Sequence, residues 1–213
     1  MSAAQAPTQA MTEIDIERAL AETQAWVNRA VIGLNLCPFA KAPQVKGQVR
    51  YVVSSARDPA ALLGDLIAEL ERLAEASPEK IETTLLIHPG LLADFAEYND
   101  FIELAEDTVA ELDLEGEIQV ASFHPNYQFE GTSPDDIENA TNRSPYPTLH
   151  LLREASIDRA VAAFPEAEAI YQTNIRAMQS LGATGWAALQ QQCREEAQVV
   201  ALTLPPGAGG GND

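Results

Sequence analysis

The chain has few of the residues that build metal centres and disulfide frameworks. Its 213 residues include only two cysteines and three histidines. Cys37 and Cys193 lie far apart, and neither belongs to a Cys-x-x-Cys pair, so we expect both to be thiols in a reducing compartment. The sequence contains no glycine-rich phosphate loop and no Gly-x-Ser-x-Gly motif. These absences argue against the standard nucleotide-binding folds and against α/β-hydrolases.

Positive charge is also scarce, with 13 Lys and Arg against 32 Asp and Glu and a formal net charge of -19. Such a surface repels nucleic-acid phosphate and anionic membranes, so we expect neither as a partner. Adaptation of the host to high salt is an alternative cause of the same charge. No apolar run approaches the ~20 residues of a membrane span, and the start of the chain lacks the regions of a secretory signal. We therefore expect an acidic cytoplasmic protein, whose oligomeric state the sequence does not indicate.

Hydrophobic and turn patterns predict a single α/β domain over residues 12–203. Residues 1–11 are small and polar and are expected to be disordered, and the glycine-rich tail 204–213 is expected to be flexible. Short segments with a strand-like composition, such as the Val- and Tyr-rich segment 48–54, predict strands. The predicted strands are 48–54, 83–87 and 118–123, with a fourth strand or an extended lead-in at 148–152.

Helical periodicity, caps and proline positions predict six helices between and after these strands. They are 13–34, 59–76, 91–112, 157–163, 167–181 and 185–197, and Lys41–Gly47 is predicted to be a loop. The alternation of strands and helices favours βαβ crossovers. The predicted fold is therefore a small, mostly parallel sheet with packed helices, and a long polar segment covers the strand ends.

The polar segment 124–154 carries most of the groups that could recognise a ligand. Arg143 presents a planar fork that suits a carboxylate or a phosphate. In the alternative interpretation the segment braces itself, and Arg143 pairs with a nearby acid. The candidate ligand-binding residues are Tyr127, Asn139, Asn142, Arg143, Ser144, His150 and Arg153.

Three further residues are candidates for catalysis: Cys37, His124 and Glu154. Cys37 lies near Lys41, and a thiol near positive charge can have a lowered pKa and act as a nucleophile. His124 directly follows a predicted strand and would be its acid–base partner. The alternative is that Cys37 is a buried packing residue. His88 also follows a strand, and we expect it to cap that strand.

A metal site is a second interpretation of the same residues. Cys37, His124 and His150 together would form a Cys-His-His zinc site, with Glu154 as the base on its bound water. No short ligand spacing such as His-x-x-x-His accompanies them. The sequence therefore does not decide whether the protein has a metal cofactor.

Three unusual motifs are similar to a bacterial family known only as domain of unknown function 1415. They are Leu36–Lys41 (LCPFAK), Ser122–Phe129 (SFHPNYQF) and Thr141–Pro147 (TNRSPYP), the last followed by His150–Glu154 (HLLRE). The resemblance covers about residues 16–185. It implies a single soluble domain, and it supplies no activity, substrate or cofactor.

Two functions are consistent with the sequence. The first is an enzyme that acts on a small anionic metabolite, with Cys37 as nucleophile or redox thiol, His124 as acid–base partner and Arg143 as anion clamp. The second is a ligand-binding or structural module without catalysis, in which these residues brace a loop. A catalytic set should line one solvent-reachable pocket, whereas a bracing set should be bonded internally.

Overall fold

The computed structural model describes residues 12–163 and 169–203. The predictions for residues 1–11 and for the tail 204–213 lie outside the described residues. The helices are α1 (Glu13–Trp26), α2 (Lys41–Val45), α3 (Pro59–Glu75), α4 (Phe95–Glu111), α5 (Glu154–Ala163) and α6 (Ala169–Thr203). The strands are β1 (Val49–Val53), β2 (Thr83–Ile87), β3 (Ile118–Phe123) and β4 (Thr148–Arg153). A π-helical turn, Val27–Ile32, extends α1, and a 3₁₀ helix, Ile137–Asn142, lies in the polar segment.

The four strands form one sheet with the order β1-β2-β4-β3. β1 pairs with β2 in parallel, whereas β4 is antiparallel to both β2 and β3. The sheet is therefore mixed, and the prediction of a mostly parallel sheet is wrong. The physical reason is that the segment 124–147 leaves and re-enters the sheet at the same end, where Phe123 pairs with Thr148. A connection that stays at one end of a sheet joins antiparallel strands.

Helices cover both faces of the sheet. Side chains alternate along each strand, so Leu86 packs against α3 and α4, and Leu85 packs on the opposite face. We call these the α3–α4 face and the α1–α6 face. All five residues of β2 are buried, as expected for a strand that is covered on both sides. The α/β class predicted from the sequence is confirmed.

Local sequence signals determine where the main helices begin. Thr12 and Asp15 form a reciprocal capping box at the start of α1, with the Asp15 N–H donating to the Thr12 hydroxyl at 3.2 Å. Asp58 caps α3, and Asp94 caps α4 by accepting two backbone N–H groups. The described helices include none long and apolar enough to cross a membrane.

One predicted loop is a helix. Residues 41–47 were expected to be irregular because of Pro43, but Lys41–Val45 form the short helix α2. Pro43 lies in the first turn of this helix, where its missing N–H breaks no intrahelical hydrogen bond. The proline is therefore compatible with the helix at this position.

Gly182 interrupts α6. Its backbone angles are φ 66° and ψ 170°, a conformation that is essentially restricted to glycine. The predicted separation of two helices at this glycine is confirmed, while the predicted start at residue 167 lies outside the described residues. A Cβ at Gly182 would meet no atom within 4 Å, so glycine is required here by the backbone and not by packing.

Two alanine substitutions at glycines test this assignment. Gly182→Ala should lower the free energy of unfolding by about 1–3 kcal/mol, because the backbone conformation is strained for any residue with a Cβ. Gly64→Ala should raise it by about 0.5–1 kcal/mol, because Gly64 is exposed within α3 and a Cβ there meets nothing within 4 Å. Urea unfolding of both variants measures the difference. Changes of the same sign would contradict the assignment.

Candidate functional site

The direction of the strands brings two histidines to one edge of the sheet. β2 ends at Ile87 and β3 ends at Phe123, and both residues pair with Thr148 of β4. His88 and His124 follow these two strands directly, so both lie at the carboxyl edge, as expected from the sequence. Ligands commonly bind at this edge in α/β proteins, and the hydrogen bonds of the two imidazoles therefore decide whether either is available.

His124 is fully buried and both of its ring nitrogens are engaged. The Asn126 N–H donates to Nδ1 at 3.0 Å, so Nε2 carries the hydrogen and donates to the Leu92 carbonyl at 3.0 Å. The ring packs on Phe95 and Tyr98, with centroid distances of 5.3 and 5.0 Å. Burial lowers the pKa of His124. These contacts hold a neutral imidazole that fixes the adjoining turns and leaves no nitrogen for a substrate.

His88 is also buried, but only one of its nitrogens has a partner. Its Nδ1 lies 3.3 Å from the Leu91 carbonyl, which matches the expected role as a cap of its strand. Its Nε2 has no hydrogen-bond partner among the described residues. Burial lowers the pKa of His88 to about 4, so the imidazole is neutral at physiological pH.

Glu154 lies at the opposite end of β4 from these histidines. β4 runs from Thr148, at the carboxyl edge, to Arg153, which pairs with Ile118 at the start of β3. With a rise of ~3.3 Å per residue, the two ends of the strand are about 17 Å apart. Glu154 therefore does not join His124 in one catalytic group.

Cys37 has no activated thiol. Burial raises the pKa of Cys37, and the backbone N–H groups of Phe39 and Ala40 oppose this rise only in part. The expectation of a lowered pKa is wrong, because burial of the thiol outweighs these backbone hydrogen bonds. Cys37 follows Leu36, which belongs to the core of the α1–α6 face, and within the described residues the two ring nitrogens of His124 bond to Leu92 and Asn126 and not to the Cys37 thiol. Its catalytic role remains a prediction.

Asn139 is a buried brace within the polar segment. Its side-chain oxygen accepts the Phe129 N–H and the Thr132 hydroxyl, both at 2.9 Å, and its Nδ2 donates to the Ser133 carbonyl at 2.8 Å. Both acceptor positions and one donor are therefore used inside the segment. This arrangement supports the self-braced interpretation of the segment.

Arg143 also holds the segment together, and it does so through backbone carbonyls. Its Nε donates to the Tyr127 carbonyl at 3.1 Å, and its Nη2 donates to the Pro134 carbonyl at 2.6 Å. Burial lowers the pKa of Arg143, while Asp135 acts in the opposite direction. Within the described residues, the guanidinium forms no ion pair with a carboxylate, so its charge remains available to a ligand.

Two neighbours of Arg143 also donate side-chain hydrogen bonds to backbone carbonyls. The Asn142 side chain donates to the Ser122 carbonyl at 3.4 Å, and the Ser144 hydroxyl donates to the Tyr146 carbonyl at 2.6 Å. Both contacts shape the turn that leads into β4. These two candidate ligand-binding residues therefore also have structural partners.

Tyr127 belongs to a chain of aromatic rings that links α4 to α6. Its ring lies 5.3 Å from Phe95 and 5.0 Å from Phe129, and Phe129 lies 6.0 Å from Tyr171. These spacings are typical of edge-to-face and tilted aromatic pairs. Tyr127 therefore packs the polar segment against the two helices.

His150 is fixed by a threonine on the neighbouring strand. The Thr83 hydroxyl donates to the Leu151 carbonyl at 2.6 Å, so it accepts from His150 Nε2 at 2.7 Å. Burial lowers the pKa of His150 to about 4. The imidazole is a neutral donor that joins β2 to β4.

Arg153 caps the end of α3. Its Nη2 donates to the carbonyls of Leu73 and Ala76, each at 2.5 Å, and to the Ile81 carbonyl at 3.2 Å. A cation at the carboxyl end of a helix interacts favourably with the helix dipole. Like Glu154, Arg153 lies at the edge of the sheet away from His124.

The zinc interpretation is wrong for these residues. No three His, Cys, Asp or Glu side chains in residues 12–163 and 169–203 converge on a metal position. His150 contacts Phe123 on the α1–α6 face, with ring centroids 5.9 Å apart, whereas His124 contacts Tyr98 of α4. The sheet therefore separates two of the three expected ligands.

The structure contains a cavity that the sequence interpretation did not identify. It has a volume of about 210 Å³ and lies between α1, α6 and the turn at residues 143–146. We call it the α1–α6 cavity. Its lining residues are Glu22, Trp26, Pro125, Arg143, Ser144, Pro145, Tyr146, Trp186, Leu189, Gln190, Cys193 and Arg194.

A buried carboxylate forms part of this cavity. Glu22 is 4% exposed, and it accepts the Arg18 Nε at 2.8 Å and the Tyr146 hydroxyl at 2.7 Å. Burial and the Glu22 carboxylate raise the pKa of Tyr146 above its ordinary value, so the hydroxyl remains a donor. The contact joins α1 to the turn before β4.

An unsatisfied donor belongs to the same cavity wall. The Trp26 side chain is buried, and its indole N–H has no hydrogen-bond partner among the described residues. Leaving a buried donor unpaired costs about 1–3 kcal/mol. Trp26 directly precedes the π-helical turn Val27–Ile32, and π-helical turns are frequent at functional sites.

The sequence did contain one signal for this cavity. Glu22 lies three residues after Ala19 and four before Trp26, and all three are buried. This spacing puts a carboxylate on the apolar face of a helix. The chain has two tryptophans, and both Trp26 and Trp186 line the cavity.

Because His150 is held neutral in the folded protein, the free energy of unfolding should depend on pH. Its pKa is about 4 in the folded protein and about 6.5 when exposed, so the unfolded chain binds more protons between these values. Stability from this group is therefore present above pH ~6.5 and is lost as the pH falls. As the pH is lowered through this window, the unfolding free energy of the wild type should fall relative to that of His150→Gln by about 1.4 kcal/mol per pH unit.

Urea unfolding at a series of pH values between about 4.5 and 8 measures this difference. Taking the difference between the two proteins removes the contributions of the many carboxylates, which both chains share. A difference that stays constant across the whole range would show that His150 is not held neutral by burial.

Comparison with known proteins gives one family. No curated protein and no solved structure shows significant similarity to the chain. A protein-family model described as "Protein of unknown function (DUF1415)" matches residues 18–188. This range includes most of α1, the sheet, the polar segment and Trp186 of the cavity. The chain therefore belongs to the DUF1415 family.

Proposed function

We propose that the protein binds a small molecule with an anionic group in the α1–α6 cavity. The observation that carries this proposal is that one cavity is lined by both tryptophans of the chain and by two arginines that pair with no carboxylate of the described residues. Ligand sites are typically concave and largely apolar, with a few convergent polar groups. The volume of about 210 Å³ is below the ~300–1,000 Å³ of pockets for drug-sized ligands. It therefore fits a small metabolite.

The two arginines support the anionic group. Arg143 donates to backbone carbonyls, and Arg194 donates to the Gln191 side chain. Neither forms an ion pair with a carboxylate of residues 12–163 or 169–203. In a chain with a net charge of -19, unpaired positive charge beside a cavity is the local field that an anion needs.

The indole N–H of Trp26 supports an acceptor on the ligand. A buried donor without a partner is unusual in folded proteins, and a ligand oxygen that came within hydrogen-bond reach of it would satisfy it. Trp186, Leu189 and Pro145 supply the apolar wall against which the body of the ligand packs. Small-molecule sites combine these same two features.

These features favour binding rather than catalysis. Cys193 lines the cavity, but burial raises its pKa, and no histidine is among the described lining residues. A cysteine nucleophile needs a base within hydrogen-bond reach. The two cysteines are free thiols, which fits the reducing cytoplasm in which we place this activity.

Matched carboxylates and amides test the proposal. We expect benzoate and 4-methylpentanoate to bind in isothermal titration, and benzamide and 4-methylpentanamide to bind more weakly, because only the acids offer a charge to Arg143 and Arg194. Arg194→Gln should weaken the binding of the acids by about 1–3 kcal/mol, the range of a hydrogen bond to a charged group.

Arg176→Gln is the matched control for this experiment. Arg176 is exposed on the same helix, donates to Thr173, and is not among the lining residues of the cavity. It should leave the affinity unchanged. Equal affinity for acids and amides, or equal effects of the two substitutions, would contradict the proposal.

A further inference from the structure

We infer that the ligand of the α1–α6 cavity is a zwitterion, with a cationic nitrogen at Glu22 and an anionic group at Arg143 and Arg194. This inference rests on the proposed function and names its ligand class. It follows from the buried carboxylate, from the aromatic rings around it and from the arrangement of opposite charges along one small cavity.

Glu22 retains acceptor capacity for a ligand. A carboxylate has about four acceptor positions, and the protein fills one on each oxygen, through Arg18 and Tyr146. The Arg18 side chain is 52% exposed, so water screens its charge. The 4% exposed Glu22 therefore retains negative character on the cavity side, where a cationic nitrogen would be a favourable partner.

The aromatic residues reinforce this preference. Trp26, Tyr146 and Trp186 line the same cavity as Glu22. A cation close to the face of an aromatic ring is attracted by the ring quadrupole, and tryptophan gives the strongest interaction. Sites that combine several aromatic rings with a carboxylate are chemically suited to an organic ammonium group.

A ligand with an anionic group alone would meet an opposing charge. Glu22 itself lines this cavity of about 210 Å³, so an anionic ligand comes near its carboxylate, and ionic interactions are strong at short range. The anionic group is attracted by Arg143 and Arg194 but repelled by Glu22. A cationic nitrogen on the same ligand turns that repulsion into attraction, so the zwitterion satisfies both ends of the cavity.

Matched probes separate the two charges of the ligand. L-Leucine and 5-aminopentanoate are zwitterions with different charge spacing, 4-methylpentanoate lacks the nitrogen of leucine, and 3-methylbutylamine lacks its carboxylate. Isothermal titration should show that at least one zwitterion binds the wild type about tenfold more tightly than 4-methylpentanoate, as a hydrogen bond to a charged group predicts. The amine alone should bind more weakly than the zwitterion.

Glu22→Gln should remove this advantage. We expect the affinity for the preferred zwitterion to fall about tenfold, while the affinity for 4-methylpentanoate stays the same or rises. Glu17→Gln is the matched control, because Glu17 lies on the same helix, loses the same charge and does not line the cavity. The comparison of probes on the wild type stands even if Glu22→Gln fails to fold.

The outcomes distinguish the inference from the proposed function. If 4-methylpentanoate binds as tightly as both zwitterions and Glu22→Gln weakens neither class, the zwitterion is wrong and anion binding stands. If neither the acid nor the zwitterions bind, both the proposed function and this inference fall. Loss of zwitterion affinity in Glu22→Gln, but not in Glu17→Gln, supports the inference.

Discussion

β4 forms backbone hydrogen bonds with both β2 and β3, and its antiparallel direction determines how the rest of the chain must run. Because Thr148 pairs with Ile87 and Phe123, the segment 124–147 has to begin and end at the same edge of the sheet. The segment crosses this edge as a folded structure, with its 3₁₀ helix packed against α6. The last turn of the segment then places Arg143 and Tyr146 between α1 and α6.

The internal hydrogen bonds of this segment explain why it is ordered although much of it is irregular. His124 and Asn139 are buried and bonded to nearby backbone, so they give the segment one conformation. Buried polar groups that lack hydrogen-bond partners are rarer than bonded ones and are more informative about where a ligand binds. Among the described residues they are Trp26 Nε1, Thr84 Oγ1 and His88 Nε2. Of these three residues, Trp26 lines the cavity.

Local patterns predicted much of the fold because the relevant forces act over a few residues. The bounds of β2 and β3, the caps of the first helices and the break at Gly182 depend on neighbouring side chains and on backbone conformation. The direction of β4 depends instead on pairing with strands whose partners are distant in sequence. For example, Thr84 pairs with Leu151. The alternation of strands and helices along the sequence does not indicate that β4 lies between β2 and β3.

The candidate site likewise combines features that depend on the local sequence with features that depend on distant contacts. The sequence interpretation located the polar segment and Arg143, but it assigned catalytic roles to residues whose surroundings it could not determine. Whether His124 is a base or a brace depends on the Leu92 carbonyl, which is 32 residues away. The contact between Tyr146 and Glu22 spans 124 residues. The one local signal in the sequence was the position of Glu22 among apolar residues on one face of α1.

The two tryptophans can serve as direct probes of ligand binding in the α1–α6 cavity. A ¹H–¹⁵N spectrum should contain two indole N–H signals, and the variant Trp186→Phe assigns them. Titration with L-leucine or 4-methylpentanoate should shift both signals with one dissociation constant, because both rings line the cavity. Indole signals that remain unchanged at saturating ligand, or that shift with different constants, would contradict binding in the α1–α6 cavity.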